Sequence, residues 1–166
     1  MRLVSVFFGM ILWVYSTPVF PKPTVGWLES VYLFSGGQQW LIESKVDSGA
    51  DHSSLHATNI QGFNKQGQTW VRFKTVNDLT IEAPFFRYAH IKTKHNTLQK
   101  RWVVWLDICL NGEKRRVEMN LVNRQHYSKS LLIGRSALKG LLIDPQKTNL
   151  LTHKPCQIEG VKRAFD

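Results

Sequence analysis

The chain of 166 residues is poor in acid: 12 Asp and Glu stand against 22 Lys and Arg, a formal net charge of +10. That balance favours acidic partners at the level of encounter and says nothing of chemistry. Only two cysteines are present, too few for a thiolate metal cage or for a small scaffold stapled by several disulfides. With 6 Pro, 11 Gly and 43% apolar residues, collagenous, low-complexity and disordered classes are excluded. No apolar run reaches the roughly 20 residues that a membrane-spanning helix requires. The Gly-x-x-x-x-Gly-Lys-Ser/Thr phosphate loop is missing, which removes that route to ATP, and so is the His-Glu-x-x-His helix of zinc peptidases. What remains is one domain with a single core.

Arg2 is the only charge before Lys22, and the apolar stretch Leu3 to Tyr15 leads into Ser16, Thr17 and Pro18. This is the layout of a secretory signal peptide. We therefore expect residues 1–20 to be a signal peptide, residues 21–166 to be the domain, and the location to be periplasmic or secreted. Losing Arg2 takes the charge from +10 to +9. An oxidising compartment permits Cys109 and Cys156 to pair, closing a loop worth about 4 kcal/mol of chain entropy; the alternative is two free thiols with Cys109 a small apolar strand residue.

The periodicity is that of strands. Trp27 to Phe34 and Trp40 to Val46 flank a Ser35-Gly36-Gly37 break, and Phe63 and Trp70 to Phe73 flank the polar turn Asn64 to Gly67. Two further hairpins are expected, Phe85 to Ile91 with Arg101 to Leu110 across the loop Thr93 to Gln99, and Trp102 to Leu110 with Arg115 to Val122 across Asn111-Gly112. The one helical segment is short, Ser136 to Leu141. An all-β, barrel-like domain follows, with the tryptophans in core and interface.

Chemistry points to Lys45-Val46-Asp47-Ser48-Gly49-Ala50-Asp51, where a strand ends in a carboxylate, a hydroxyl and a glycine that permits close backbone approach. A second segment, Ser130-Leu131-Leu132-Ile133-Gly134-Arg135-Ser136-Ala137-Leu138, is needed to give that signal weight. The pair resembles the retropepsin-like aspartic peptidases. The longer run Val46 to Ala57, with Gly67 to Phe73 and Gly26-Trp27-Leu28-Glu29, is similar to the bacterial branch often labelled "ATP-dependent zinc protease", a label that these residues do not support.

That resemblance implies a retropepsin-like closed barrel with one short C-terminal helix. It implies Asp47 as catalytic residue, with Ser48, Gly49, Ala50, Ile133 and Gly134 supporting its loop, and an Asp51–Arg135 pair at the loop and dimer interface. No metal or other cofactor is implied. One chain supplies one such aspartate, so a homodimer would set two Asp47 carboxylates on a two-fold axis to share a proton and activate water. The partner is then a peptide or protein substrate. ATP is not expected, nucleic acid is disfavoured, and an anionic surface partner is the accessory expectation for the basic clusters Lys92 to Lys94, Lys100-Arg101 and Lys114-Arg115-Arg116. The flap is either the Asn64 to Gly67 turn or the Thr93 to Gln99 loop. His52 and His56 read as structural or surface residues. The competing class is an inactive peptide- or anion-binding module on the same fold.

Overall fold

The computed structural model describes residues 21–92, 96–151 and 155–156; the expected signal peptide, residues 1–20, lies outside them. Ten strands follow one another: β1 (Thr24–Ser35), β2 (Gln38–Asp47), β3 (Ser53–His56), β4 (Thr58–Lys65), β5 (Gln68–Lys74), β6 (Thr80–Lys92), β7 (Leu98–Leu110), β8 (Glu113–Val122), β9 (Leu131–Gly134) and β10 (Leu142–Thr148). Three hairpins turn on two residues that both have positive φ: Gly36-Gly37, Gln66-Gly67 and Asn111-Gly112. That backbone sense matches the twist of paired strands, which is why those short polar pairs could be read from sequence.

The strands form one hydrogen-bonded series, β10-β1-β2-β9-β3-β8-β7-β6-β5-β4. Pairing of Tyr32 with Cys109 and Leu33 with Ile108 joins β1 back to β7. A ring β1-β2-β9-β3-β8-β7 is thereby closed, with β6, β5 and β4 extending from it and β10 lying parallel to β1. The all-β expectation holds, although the ring is not an evenly round barrel.

Branched and other aliphatic side chains fill it, among them Leu33, Ile42, Leu55, Ile108, Leu121 and Ile133. Among the described residues no tryptophan is fully buried in this core, so the core half of the sequence reading is not met, although Trp102 packs against it. Trp27 and Trp40 are exposed, and Trp70, Trp102 and Trp105 are half-buried. Compact aliphatic residues fit the narrow interior of a small ring, whereas an indole suits the boundary.

The helix also differs from expectation. It is a single 3-10 turn, Arg135–Leu138, followed by Lys139 in an extended conformation (ψ 130°) and by Gly140 at φ +80°. Such a turn does not propagate past a few residues. Arg115 caps it, donating to the carbonyls of Ala137 (2.9 Å) and Lys139 (2.8 Å).

Two devices tie the C-terminal segment to the ring. Cys109 and Cys156 form a disulfide, which settles the open question of their pairing, and Gln39 exchanges side-chain hydrogen bonds with the Cys156 backbone. The buried Glu29 carboxylate accepts the backbone N–H groups of Gly26 (2.6 Å), Leu150 (2.9 Å) and Leu151 (3.2 Å).

Candidate functional site

Asp47 is the last residue of β2, half-buried at the rim of the ring. Its Oδ1 accepts the Gly49 N–H at 2.9 Å, so the carboxylate itself folds the turn that follows it. The loop 48–52 must then cross β9, because β9 is inserted between the two strands which that loop connects. On one side Asp47 faces Gly134 in a parallel pair, and on the other Ser54 faces Leu132 in an antiparallel pair.

Gly134 makes this crossing feasible. A Cβ there would lie 2.6 Å from both the carbonyl carbon and oxygen of His52 and 3.0 Å from the Ala50 oxygen. Its N–H donates to the buried Ser53 Oγ at 3.1 Å. The next two amides continue the seam, Arg135 donating to the Ala50 carbonyl (2.8 Å) and Ser136 to that of Asp51 (3.1 Å). The Arg135 guanidinium donates to the Ser48 carbonyl at 3.2 Å and pairs with the Asp51 carboxylate. Every residue of the expected site is thus brought together: Asp47, Ser48, Gly49, Ala50 and Asp51 above, Gly134 and Arg135 below, and Ile133 buried beneath as the register partner of Val46. The Asp51–Arg135 pair is exposed, so its value is in alignment more than in stability.

A cavity of about 380 Å³ opens beside the loop. Ala50, Asp51, His52 and Ser54 form one wall; Arg87, Arg101 and Arg124 converge from β6, β7 and the segment after β8. Arg87 is neutralised by Glu118 at 2.7 Å, a carboxylate that also lies 3.6 Å from His52 Nδ1. The other two guanidiniums are held by neutral oxygens. Arg101 donates to Asn120 Oδ1 (3.1 Å) and Gln99 Oε1 (2.9 Å), and Arg124 to Ser54 Oγ (2.9 Å) and the Lys129 carbonyl (3.2 Å). Burial lowers both arginine pKa values below the ordinary one; at Arg124, Arg101 adds to that effect while Tyr127 and Asp47 oppose it. Both remain cations, since arginine does not deprotonate near neutral pH. Neither guanidinium forms a close ion pair with a carboxylate among the described residues, although the Asp47 charge acts favourably on Arg124, and the two make an anion-receptive wall.

The same description fits known proteins. Residues 24–154 match the family described as RimB-like, retropepsin-like aspartic endopeptidase RimB. The chain belongs to the RimB-like family. A "probable alpha-L-glutamate ligase" of Shewanella halifaxensis is 34% identical over 135 residues, covering 74% of this chain and 30% of that protein. One from Desulfotalea psychrophila is 35% identical over 113 residues, covering 63% and 24%. The chain therefore spans about a third or less of these curated relatives. Among solved structures, that of Lpg0085 from Legionella pneumophila, a protein of unknown function, is 31% identical, with a TM-score of 0.68 over 76% of this chain and 96% of that one.

Within this RimB-like chain, several site residues escaped the sequence reading. Ser53, Asn120 and Arg124 stand out. Asn120 Nδ2 donates to the Ser53 carbonyl at 2.7 Å, and Arg124 also donates its backbone N–H to His56 Nδ1 at 2.9 Å, which gives His56 a structural duty. Arg101 was legible only as part of a surface cluster. Of the other basic clusters, Lys114 and Arg116 face Asp107 at 3.1 and 4.0 Å. Ala89 and Ile91 of β6 and Arg101 of β7 line the cavity beside the Asp47 loop, whereas Lys65 and Trp70 of the β4–β5 hairpin line a separate one. Residues 93–95 of the Thr93 to Gln99 loop lie outside the described residues.

Proposed function

We propose that the protein is an aspartic endopeptidase, active as a homodimer in which Asp47 of each subunit faces its mate across a two-fold axis. The observation that carries this is the Asp47-Ser48-Gly49 loop clasped from below by Gly134 and Arg135. Two carboxylates so placed share one proton; one takes a proton from water while the other donates to the scissile carbonyl oxygen. Neither role needs a metal or nucleotide. Arg101 and Arg124 beside the loop, hydrogen-bonded to neutral oxygens, support acidic side chains in the substrate. The name carried by the curated relatives, glutamate ligase, points to the same acidic peptide chemistry, although it belongs to much longer proteins. Export by residues 1–20 is part of the proposal, and the Cys109–Cys156 disulfide supports an oxidising compartment.

The test is incubation of the protein, from about pH 3.5 to 7, with a peptide mixture enriched in glutamate-rich members, beside Asp47→Asn. We expect cleavages adjacent to acidic residues that disappear in the variant, and sedimentation as a dimer. The second reading, an inactive binding module, is favoured by the arginine wall alone: binding of acidic peptides that persists in Asp47→Asn, with no cleavage by either protein, would establish it.

A further inference from the structure

The β6–β7 hairpin outgrows the sheet that carries it. Residues 88–92 pair with residues 98–102, and neither segment has a partner strand on its other flank: β5 pairs with β6 only up to Pro84, and β8 with β7 only from Val103 onward. Directly paired residues point to the same side and successive ones alternate, so this two-stranded ribbon has two distinct faces. One, with Ala89, Ile91 and Arg101, lines the cavity beside the Asp47 loop. The other has Tyr88 opposite Trp102 at its base, then His90 opposite Lys100, then Lys92 opposite Leu98. The base is anchored, because the Trp102 ring lies 4.7 Å from that of Tyr88 and 5.4 Å from that of Phe85, and is packed so closely on Gly62 that a Cβ there would meet it at 2.9 Å.

Charge on the ribbon has one sign. Between Glu82 and Asp107 the sequence contains no acidic residue, whereas Arg87, Lys92, Lys94, Lys100 and Arg101 fall within it. Elsewhere lysines face carboxylates, as Lys65 does Glu82, Lys114 Asp107 and Lys129 Glu43. Lys100 instead rests on the Tyr88 ring, 3.8 Å from its centre, and neither it nor Lys92 forms an ion pair among the described residues. Beside these cations stands Leu98, 71% exposed, the most exposed large apolar side chain among the described residues; Tyr88 is 39% exposed. A soluble polyanion would use the cations and leave the leucine in water. A ribbon of this kind fits the major groove of DNA, but there Leu98 would add nothing to the phosphate contacts. A bilayer with anionic head groups uses both kinds of side chain: ammonium groups meet the phosphates while the leucine and the tyrosine ring enter the boundary beneath them.

We propose that this face of the ribbon docks the protein on an anionic phospholipid surface, with Lys92 and Lys100 at the level of the phosphates and Leu98 and Tyr88 in the apolar boundary. The opposite face, which lines the cavity beside the Asp47 loop, stays free, and the proposal stands whether or not the peptidase reading does.

The test is co-sedimentation of the protein with two sets of vesicles, phosphatidylcholine alone and equal parts phosphatidylcholine and phosphatidylglycerol, at about 0.1 M salt. We expect the protein to pellet with the anionic vesicles only and to be released at about 0.5 M salt. Partition should fall about fivefold in each of Lys92→Gln and Lys100→Gln, and about threefold or more in Leu98→Ser. All three side chains are exposed, so each variant should unfold thermally as the wild type does, which checks the fold. Lack of pelleting with the anionic vesicles, equal pelleting with both sets, wild-type partition in the two lysine variants, or wild-type partition in Leu98→Ser would each overturn the proposal. Release of the vesicle-bound protein by double-stranded DNA of equal total charge would overturn it too, assigning the face to nucleic acid.

Discussion

Replacing Gly134 by Ala isolates a contact from a conformation. Gly134 sits at φ −89° and ψ 170°, where any residue is comfortable, so the backbone dihedrals cost nothing. The whole penalty comes from three backbone atoms, the His52 carbonyl carbon and oxygen at 2.6 Å and the Ala50 oxygen at 3.0 Å from the added methyl. A side chain could swing away; these atoms belong to the Asp47 loop, which is pinned by Arg135 and Ser136 and, at the start of β3, by Ser53. Overpacking against backbone costs about 3 kcal/mol, and losing the Gly134 to Ser53 bond adds about 1 kcal/mol. At about 2–4 °C per kcal/mol for a domain of this size, the unfolding midpoint should fall by about 8–16 °C. Gly49→Ala is the control, because its only close atom is Asp47 Oδ1 at 3.2 Å; it should cost under about 1 kcal/mol while disturbing the carboxylate. The assay is thermal unfolding followed by circular dichroism, with peptide cleavage measured alongside. A Gly134→Ala protein that melts within about 2 °C of wild type and keeps wild-type function would refute the close-crossing argument.

Opening the Cys109–Cys156 disulfide frees a 47-residue separation and should cost about 4 kcal/mol; unfolding with and without reductant, or of Cys156→Ala, measures it, and an unchanged midpoint would count against the staple. Glu29→Gln replaces a buried acceptor of three amides with a group whose NH₂ must face one of them. We expect a loss of about 2–3 kcal/mol and faster hydrogen exchange at Leu150 and Leu151 than at β7 amides. Arg72 and Lys65 hold the exposed Glu82 carboxyl below its ordinary pKa of 4.5. Its ion pairs therefore favour the fold above pH 4.5 and fade as pH falls through the lowered value; Glu82→Gln should flatten that part of the stability curve measured against pH.

Turn chemistry made the hairpins readable: the Gly36-Gly37, Gln66-Gly67 and Asn111-Gly112 pairs lie where local sequence dictates the backbone. The short strands were not readable in the same way. β3 and β9 have four residues each, too few for an alternation to register, and β9 was visible only through its motif. β10 is almost wholly exposed and contains Pro145, features tolerated at a sheet edge and silent in a pattern search. The Asp47 loop could be placed because its residues are contiguous or share one motif. The arginine wall could not. Arg87, Arg101 and Arg124 lie on separate segments, and only the registers of β6 with β7 and β7 with β8 bring them to one cavity. Trp105 reads from sequence as core or interface; in the ring it is a half-buried boundary residue beside Phe86.

The insertion of β9 between β2 and β3 also sets an order of events. Hairpins β1–β2, β4–β5, β6–β7 and β7–β8 need only neighbouring residues and form early on local contacts. The Asp47 loop gains its floor only when a segment over 80 residues away threads into a slot held open for it, as the separations of 81 residues for Gly134 to Ser53 and 87 for Arg135 to Ser48 show. Loop-closure entropy is met there before any contact rewards it. A chain emerging N-terminus first therefore carries Asp47 long before its loop has a floor, and the arrangement around that residue waits on nearly the last strand to arrive.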